Sequence, residues 1–240
     1  MKTIQVSIIL ILFCILSAQD SIYVNFKLPY LQLQPTLFGG DLNGDGFDDM
    51  VFVGMRKIDQ YHLGVLETMI FFGETYIDSF PDIAYINTPE IPSYKICYNG
   101  DLNGDGINDM VLSDIGYPDW YNYGMLWIIL GKSDFQMEPD YIMYGIDYFH
   151  GDYPYDSYFG IDIDCSGDFN GDGFDDLYVY APGTSPEDYG YFWVFNGGPE
   201  IDTTDDYFHK GEYNSFTGES YSIGDINGDG FDDLIISRFD

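Results

Sequence analysis

A nine-residue acidic sequence that occurs four times constrains this chain more than any other feature. The copies read DLNGDGFDD, DLNGDGIND, DFNGDGFDD and DINGDGFDD, and they begin at Asp41, Asp101, Asp168 and Asp225. One copy recurs about every 60 residues, a period typical of a repeat architecture. Each copy is therefore expected to occupy the same place in a repeating structural unit.

The segments around each copy repeat as well. A short apolar run follows every copy, and a second apolar run bounded by glycines comes about fifteen residues later. A weaker third run follows, and a fourth type precedes the nonapeptide. The clearest examples are Leu177–Tyr180, Gly190–Gly197, 207–209 and 158–163. These runs are rich in β-branched and aromatic residues and lack a helical period, so each unit is predicted to contain about four strands.

Four-stranded units at this period predict an all-β fold, a β-propeller in which each unit is one blade. The nonapeptide then links the innermost strand of a blade to the second strand. The predicted organisation is a signal peptide at 1–18, an N-terminal strand segment at 19–34, and blades at 35–90, 91–153, 154–213 and 214–240, the last incomplete. Because propellers close with roughly 4 to 8 blades, these three and a half blades leave two alternatives. Either the sequence is a fragment of a larger ring, or residues 20–34 complete the fourth blade and close a small one.

The charge balance excludes some partners. The chain has 41 acidic and 8 basic residues, and its net charge is -33. Nucleic acid and anionic membrane surfaces would be repelled. The 23 Tyr and 19 Phe residues distinguish the chain from disordered acidic proteins, which lack aromatic residues. A folded chain with this many carboxylates is expected to bind cations.

The N-terminus is typical of a signal peptide. Lys2 precedes the mostly apolar stretch Ile4–Leu16, and Ser17-Ala18 supplies small residues for cleavage. The apolar run is short for a membrane span, and a signal anchor is the alternative. The protein is therefore predicted to be secreted or on the cell surface, with no membrane span after removal of the signal.

Two cysteines remain in the mature chain, because Cys14 lies in the signal region. Cys97 and Cys165 each stand shortly before a nonapeptide, on the predicted strand that enters the loop. Export permits a disulfide. Two alternatives stay open, a bridge between neighbouring repeats and a pair of buried free thiols.

The nonapeptide itself has the residue types of a calcium loop. Positions 1, 3, 5 and 9 carry side-chain oxygens, position 7 can offer its carbonyl, and the glycines at positions 4 and 6 allow a tight curl. Ca²⁺ takes 6 to 8 oxygen ligands in a flexible cage. Up to four Ca²⁺ ions are predicted, one per loop, with these ligands: Asp41, Asn43, Asp45, Phe47 and Asp49; Asp101, Asn103, Asp105, Ile107 and Asp109; Asp168, Asn170, Asp172, Phe174 and Asp176; Asp225, Asn227, Asp229, Phe231 and Asp233.

The remaining loop positions have other expected roles. Positions 2 and 7 are always apolar and are predicted to anchor the loop to the blade, whereas position 8 is polar and is predicted to be solvated. An EF-hand would need an acidic residue at position 12, but that position holds Phe52, Leu112, Val179 or Ile236. The alternative to a metal loop is a tight turn rich in Asp, Asn and Gly.

These units resemble FG-GAP repeats, the Ca²⁺-binding blades of the integrin α N-terminal propeller, and the related VCBS-like repeats of secreted bacterial proteins. The third unit matches best. Phe159-Gly160 corresponds to the FG of the family, Gly167–Leu177 to its metal loop, and Ala181-Pro182 to the AP of GAP, with Tyr180 in place of Gly. The other units have the loop but lack most of the flanking FG and GAP motifs. The resemblance implies a seven-bladed parent ring with structural Ca²⁺ sites on the rim of each blade.

The sequence offers little for catalysis. The three His residues, His62, His150 and His209, lie in different units, and no nucleophile elbow, zinc motif or P-loop is present. Aromatic segments at 117–123, which includes Trp120, and at 148–155 could stack on sugars or fold over a blade. The chain is predicted to be a non-enzymatic binding or adhesion module for a protein or a surface glycan. The alternatives are a lectin-like propeller and the propeller part of a secreted hydrolase, phospholipase or polysaccharide lyase.

Overall fold

The computed structural model describes residues 8–11, 23–26, 30–33, 39–56, 65–74, 80–86, 95–116, 122–148, 157–182, 190–211, 216–222 and 224–239. Regular structure in these residues consists of strands and one 3₁₀ turn at Gly145–Asp147, with no α-helix. The predicted all-β fold is confirmed. In the same residues, no helix is long and apolar enough to cross a membrane.

Three four-stranded antiparallel sheets form the blades, and the strands of each follow one another in chain order. Blade 1 contains β3 (Tyr30–Leu33), β4 (Met50–Arg56), β5 (Val65–Phe71) and β6 (Ile83–Ile86). Blade 2 contains β7 (Lys95–Gly100), β8 (Asp109–Asp114), β9 (Met125–Ile129) and β10 (Tyr141–Tyr144). Blade 3 contains β11 (Asp162–Gly167), β12 (Asp176–Ala181), β13 (Tyr191–Phe195) and β14 (Tyr207–Lys210).

Two further sheets have two strands each in the described residues. In blade 4, β15 (Phe216–Ser222) pairs with β16 (Leu234–Phe239). At the N-terminus, β1 (Ile8–Ile11) pairs with β2 (Tyr23–Phe26). Every nonapeptide connects the first strand of its blade to the second, as expected.

The first blade begins earlier than the predicted boundary at residue 35. Its first strand is β3, which pairs with β4 through Leu33 and Gly54 and lies in the segment 19–34 that was expected outside the blades. The sequence predicted a strand in this segment but not its blade, because Pro35 separates it from the rest of the first repeat and proline is confined to strand ends and edges. Among the described residues, none of the segment 20–34 pairs with blade 4.

Burial differs between the second and the outermost strand of a blade. β8 and β12 are buried along their whole lengths, whereas β6 and β14 alternate between half-buried and exposed residues. A strand covered on both faces needs no polar face, so its sequence is a continuous apolar run. Such runs were visible in the sequence for this reason.

The hydrophobic core lies between blades. One cluster joins blades 1 and 2, with these buried members: Leu42, Val51, Ile70, Tyr98, Met110, Leu112, Ile129, Phe135 and Met137. A second cluster joins blades 2 and 3 and includes Val111, Leu126, Phe159, Leu177 and Trp193. Because each blade buries its faces against its neighbours, a single blade has no core of its own.

The first strands of blades 2 and 3, β7 and β11, approach closely. A Cβ atom on Gly100 would overlap the carbonyl oxygen of Cys165, so only glycine fits there. Cys97 and Cys165 meet at the same junction, where both are buried and free and their side chains hydrogen-bond. Burial, followed by the neighbouring Cys165, raises the pKa of the Cys97 thiol. Of the two alternatives for this pair, the structure has the free thiols.

Candidate metal centre

All four nonapeptides adopt the same curl. The glycines at positions 4 and 6 have positive φ in every copy, for example +71° at Gly44 and +90° at Gly46. Residues with a Cβ rarely adopt this conformation. The repeated glycines therefore produce the curl that the sequence predicted.

The carboxylate at position 1 occupies the inside of the curl. Asp41 Oδ1 accepts hydrogen bonds from the N–H groups of Gly44 and Asp45, and its Oδ2 accepts one from Gly46. The same three bonds recur at Asp101, Asp168 and Asp225, with donor–acceptor distances of 2.6 to 3.1 Å. At Asp225 these N–H groups favour the charged form, and the bond from Gly230 is the main cause of a lowered pKa.

Positions 3 and 5 support each other at the exposed mouth of the loop. Asn43 Oδ1 accepts the N–H of Asp45 at 3.0 Å, and Asp45 Oδ1 accepts the N–H of Phe47 at 2.9 Å. The Asn43 amide also donates to Asp45 Oδ2 at 3.1 Å. In the fourth loop the corresponding amide, Asn227, donates instead to Asp233 Oδ1 at 3.3 Å.

The aspartate at position 9 is buried beneath the curl. Asp49 Oδ2 accepts the N–H of Leu42 in its own loop, and its Oδ1 accepts the N–H of Gly73 after β5, both at 2.8 Å. Asp109 and Asp176 make the matching pairs of bonds. This carboxylate therefore ties the loop to the end of the third strand of its blade, a role that the sequence analysis did not predict.

The buried carboxylates have raised pKa values. The pKa rises to about 6 at Asp49, about 7 at Asp109 and about 6 at Asp176, mainly through burial. The two backbone N–H donors oppose the shift, and the negative charges at positions 1 and 5 add to it. The charges at positions 1 and 5 thus lie close enough to act on the carboxylate at position 9, and a divalent cation near the three would relieve that repulsion.

These residues fit a hard cation. The loop combines three carboxylates with one amide oxygen, which is the donor type that Ca²⁺ takes. In the described part of the chain, no three His, Cys, Asp or Glu side chains converge as a ready metal cage. The loop geometry gives a reason, because both oxygens of the carboxylates at positions 1 and 9 accept backbone N–H groups, as at Asp41 and Asp49. A carboxylate has about four acceptor sites, so further interactions remain possible at positions 1, 5 and 9.

The side chain at position 8 is not simply solvated, and that expectation was wrong for three copies. Asn108 Oδ1 accepts the N–H of Asp41 in the preceding loop at 2.9 Å, and the Asn108 N–H donates to the Asp41 carbonyl at 2.9 Å. Asp175 makes the same reciprocal pair with Asp101, and Asp232 makes it with Asp168. No local sequence pattern indicates this role, because the partner lies in another blade.

The apolar side chains at position 7 also contact the preceding loop instead of entering the core. A Cβ on Gly44 would lie 2.8 Å from Ile107 Cδ1, and one on Gly171 would lie 2.6 Å from Phe231 Cε1. Phe47, in the first loop, is 44% exposed. At position 2, Leu42 and Leu102 are buried as predicted, but Ile226 of the fourth loop is 67% exposed.

The aromatic segments divide between described and undescribed residues. Residues 117–121, with Trp120, and residues 149–156 lie outside the described part of the chain, as do His62 and His150. Tyr148 is buried, stacks on Phe159 with ring centroids 5.2 Å apart, and donates its hydroxyl to the Thr203 carbonyl at 2.8 Å. Tyr148 therefore belongs to the core between blades 2 and 3 and is not an exposed sugar-stacking residue.

Comparison with known proteins gives a consistent family. The FG-GAP repeat family model matches residues 164–195, which span the third nonapeptide, β12 and β13. Integrin alpha-5 of Xenopus laevis is 28% identical over 152 residues, covering 58% of this chain and 14% of that protein. Integrin alpha-PS2 of Drosophila melanogaster is 26% identical over 166 residues, covering 67% of this chain and 11% of that protein.

A solved structure supports the architecture. Rhamnogalacturonan Lyase PL11 of Bacillus licheniformis aligns with a TM-score of 0.55 and 14% sequence identity, covering 90% of this chain and 45% of that one. At this identity the likeness concerns the fold alone, and the chain spans less than half of that protein. The family match, the integrin relatives and the four-stranded blades agree, and together they support an FG-GAP repeat protein of the integrin α propeller type.

Proposed function

We propose that this protein is an exported, calcium-binding FG-GAP repeat propeller that acts as a non-enzymatic binding module for a protein or a surface glycan. The observation that carries the proposal is the loop itself. Four copies present the same oxygen donors on the same curl, with a carboxylate at position 1 accepting three N–H bonds in each. A turn that served only to reverse the chain would not need these acids.

Calcium would be held by position 1 inside the curl and by positions 3 and 5 at its exposed mouth, with the carbonyl at position 7 and the buried aspartate at position 9 as further candidates. When bound, the ion supplies positive charge and bonds to several parts of the loop at once. The loop residues arrange the ligands before an ion binds. The position 1 carboxylate accepts hydrogen bonds from three N–H groups, and the position 9 carboxylate connects the loop to its blade.

The metal loops lie at one end of the blades, which leaves the other end for a ligand. In an antiparallel blade, the turn between strands 1 and 2 and the turn between strands 3 and 4 lie at the same end. The contact between Asp109 and Gly131 joins these two turns in blade 2. The connections between strands 2 and 3, and those between blades, lie at the opposite end. Residues 122–124, between β8 and β9, belong to these connections, and we propose that the ligand binds at this end of the blades.

Calcium binding is tested by thermal unfolding of the full chain in Ca²⁺, in Mg²⁺ and in EDTA. An ion that binds only the native state stabilises it by about 2.7 kcal/mol at a concentration of 100 Kd, so Tm is expected to rise with Ca²⁺. Isothermal titration should count the sites. The Asp105→Asn variant is expected to lose one site, whereas Asp134→Asn, an exposed position outside the loops, should keep them all. Equal Tm values in Ca²⁺ and EDTA would contradict the proposal.

Ligand class is tested separately. Binding to a glycan array that disappears in Trp120→Ala, but survives in the exposed outer-strand variant Tyr207→Ala, would identify a lectin-like module. Turnover of a pectic polymer would instead indicate a lyase and overturn the non-enzymatic assignment. A protein ligand is expected when both assays are negative, and cross-linking on the surface of cells that secrete the protein would then identify it.

A further inference from the structure

The nonapeptide loops are not independent of one another. At each of three junctions, position 8 of one loop and position 1 of the preceding loop exchange two hydrogen bonds, with distances from 2.8 to 3.2 Å. Both the N–H and the carbonyl of the residue at position 1 are therefore hydrogen-bonded to the next blade. Asp41, Asp101 and Asp168 are held in this way.

A second contact joins the same pairs of loops. The side chain at position 7 lies against the glycine at position 4 of the preceding loop, as Ile107 does on Gly44, Phe174 on Gly104 and Phe231 on Gly171. The glycines at position 6 behave differently, because a Cβ on Gly46, Gly106 or Gly173 would meet nothing within 4 Å. The neighbouring blade thus supports one specific side of the curl, next to the position 1 carboxylate.

A third contact links the buried aspartate of one loop to the preceding loop. Gly131 N–H donates to Asp109 of its own blade, and the adjacent Lys132 N–H donates to the Leu42 carbonyl in the preceding loop at 3.0 Å. Blade 3 repeats the arrangement with Gly197 and Gly198, and the latter donates to the Leu102 carbonyl at 2.8 Å. Two consecutive peptide groups therefore connect position 9 of one loop to position 2 of the one before it.

We propose that Asn108, Asp175 and Asp232 are positioning residues through which each loop orders the metal site of the preceding blade, so that calcium binding along the array is cooperative. The inference rests on the proposed calcium function. Ordering one loop fixes its position 8, and that residue holds the first ligand of the preceding loop in place. The preceding loop then loses less conformational freedom when it binds its own ion, and the coupling acts equally in the reverse direction.

The three junctions already differ by a conservative substitution at position 8. Position 8 is Asn at the junction of blades 1 and 2 and Asp at the next two, and both accept the same N–H bond. An amide is therefore sufficient as the acceptor. The carboxylate and the amide differ in charge, whereas alanine removes the acceptor altogether.

The experiment is a Ca²⁺ titration of the full chain followed by NMR, with the amide resonances of Gly106 and Gly173 reporting loops 2 and 3. Asp175→Ala leaves every ligand of loop 2 in place. It is expected to weaken Ca²⁺ binding at loop 2 about five- to tenfold, within the usual range of coupling between sites, and to lower the Hill coefficient of the whole titration. Asp175→Asn should restore both values, because Asn108 already serves at the equivalent position.

The matched control is Asp48→Ala, the same change at position 8 of the first loop, where no preceding loop exists in the described residues. It should leave the titration of loop 2 unchanged. Equal affinities at loop 2 in Asp175→Ala, Asp48→Ala and the parent chain would overturn the inference while leaving calcium binding intact. A parent chain that takes up no Ca²⁺ would overturn the proposed function itself, and the inference with it.

Discussion

At the scale of single residues, the repeat predicts which side chains surround the curl but not what holds them. The acids at positions 1 and 5 and the glycines at 4 and 6 act within nine residues, so their arrangement follows from local sequence. The two bonds of Asp49 could not be predicted, because Gly73 lies after the next strand but one. Nor could the role of Asn108, whose partner lies 67 residues away.

The glycine before the second nonapeptide offers a residue-scale test. Gly100→Ala places a Cβ against the Cys165 carbonyl, where only backbone movement can make room. Overpacking typically costs 1 to 3 kcal/mol, and more where the neighbour cannot move, so we expect a loss of at least about 2 kcal/mol in urea unfolding. Gly198→Ala is the control, because its Cβ would make an ordinary 3.8 Å contact and its N–H is kept. Equal stability of the two variants would contradict the close approach of β7 and β11.

At the scale of strands, apolar runs predicted the second and third strands of blades 2 and 3, since β8 and β12 are buried along their whole lengths and β9 and β13 are buried or half-buried throughout. The first strands were harder to find because they are polar in part. Lys95 at the start of β7 forms an ion pair with Asp162 at the start of β11, at 2.7 Å. The Asp162 side chain is 6% exposed and that of Lys95 is 40% exposed. Charged residues of this kind are typical of loops in a hydrophobicity pattern, although here they begin two strands and pair between blades.

The ion pair is expected to contribute to the junction of blades 2 and 3. Lys95→Met leaves a nearly buried carboxylate with one charge partner fewer, a loss of about 1 to 3 kcal/mol. Lys132→Met is the control, because the 3.4 Å pair of Lys132 with Asp140 is more exposed and is worth about 1 kcal/mol or less. A double-mutant cycle of Lys95→Met with Asp162→Asn should give a coupling free energy of about 1 kcal/mol. Additive losses in urea unfolding would show that the pair contributes nothing.

At the scale of the whole molecule, the 60-residue period predicts a propeller whose neighbouring blades bury each other's faces, but only the structure shows which side chains form those interfaces. Leu42 and Tyr98 belong to one interface, and Trp193 and Phe159 to the next. A sequence period indicates that structural units repeat, but it does not indicate which side chains pack between neighbouring units. The same limit applied to Cys97 and Cys165, which the sequence placed on adjacent first strands without deciding between thiols and a bridge.

These thiols can report the opening of the interface between blades 2 and 3. In a Cys14→Ser chain, both remaining cysteines are buried, and burial raises the pKa of Cys97, which suppresses the reactive thiolate. We expect no alkylation by iodoacetamide under native conditions and two modified thiols after denaturation, counted by mass spectrometry. Gly100→Ala should accelerate the native reaction, and Gly198→Ala should not. Rapid labelling of the unaltered interface would contradict the burial of the pair.

The reciprocal bonds between position 8 and the preceding position 1 also impose an order in time. A ribosome makes the chain from its N-terminus, so each curl emerges about one blade before the residues that clamp it. Asp41 can form its bonds with Asn108 only after Asn108 has been synthesised, and the same holds for Asp101 and Asp175. Maturation of the sites would then proceed from the first blade onward, each being completed by the arrival of the next. In the described residues no such partner follows the fourth loop, where Gly228 has nothing within 4 Å of an added Cβ.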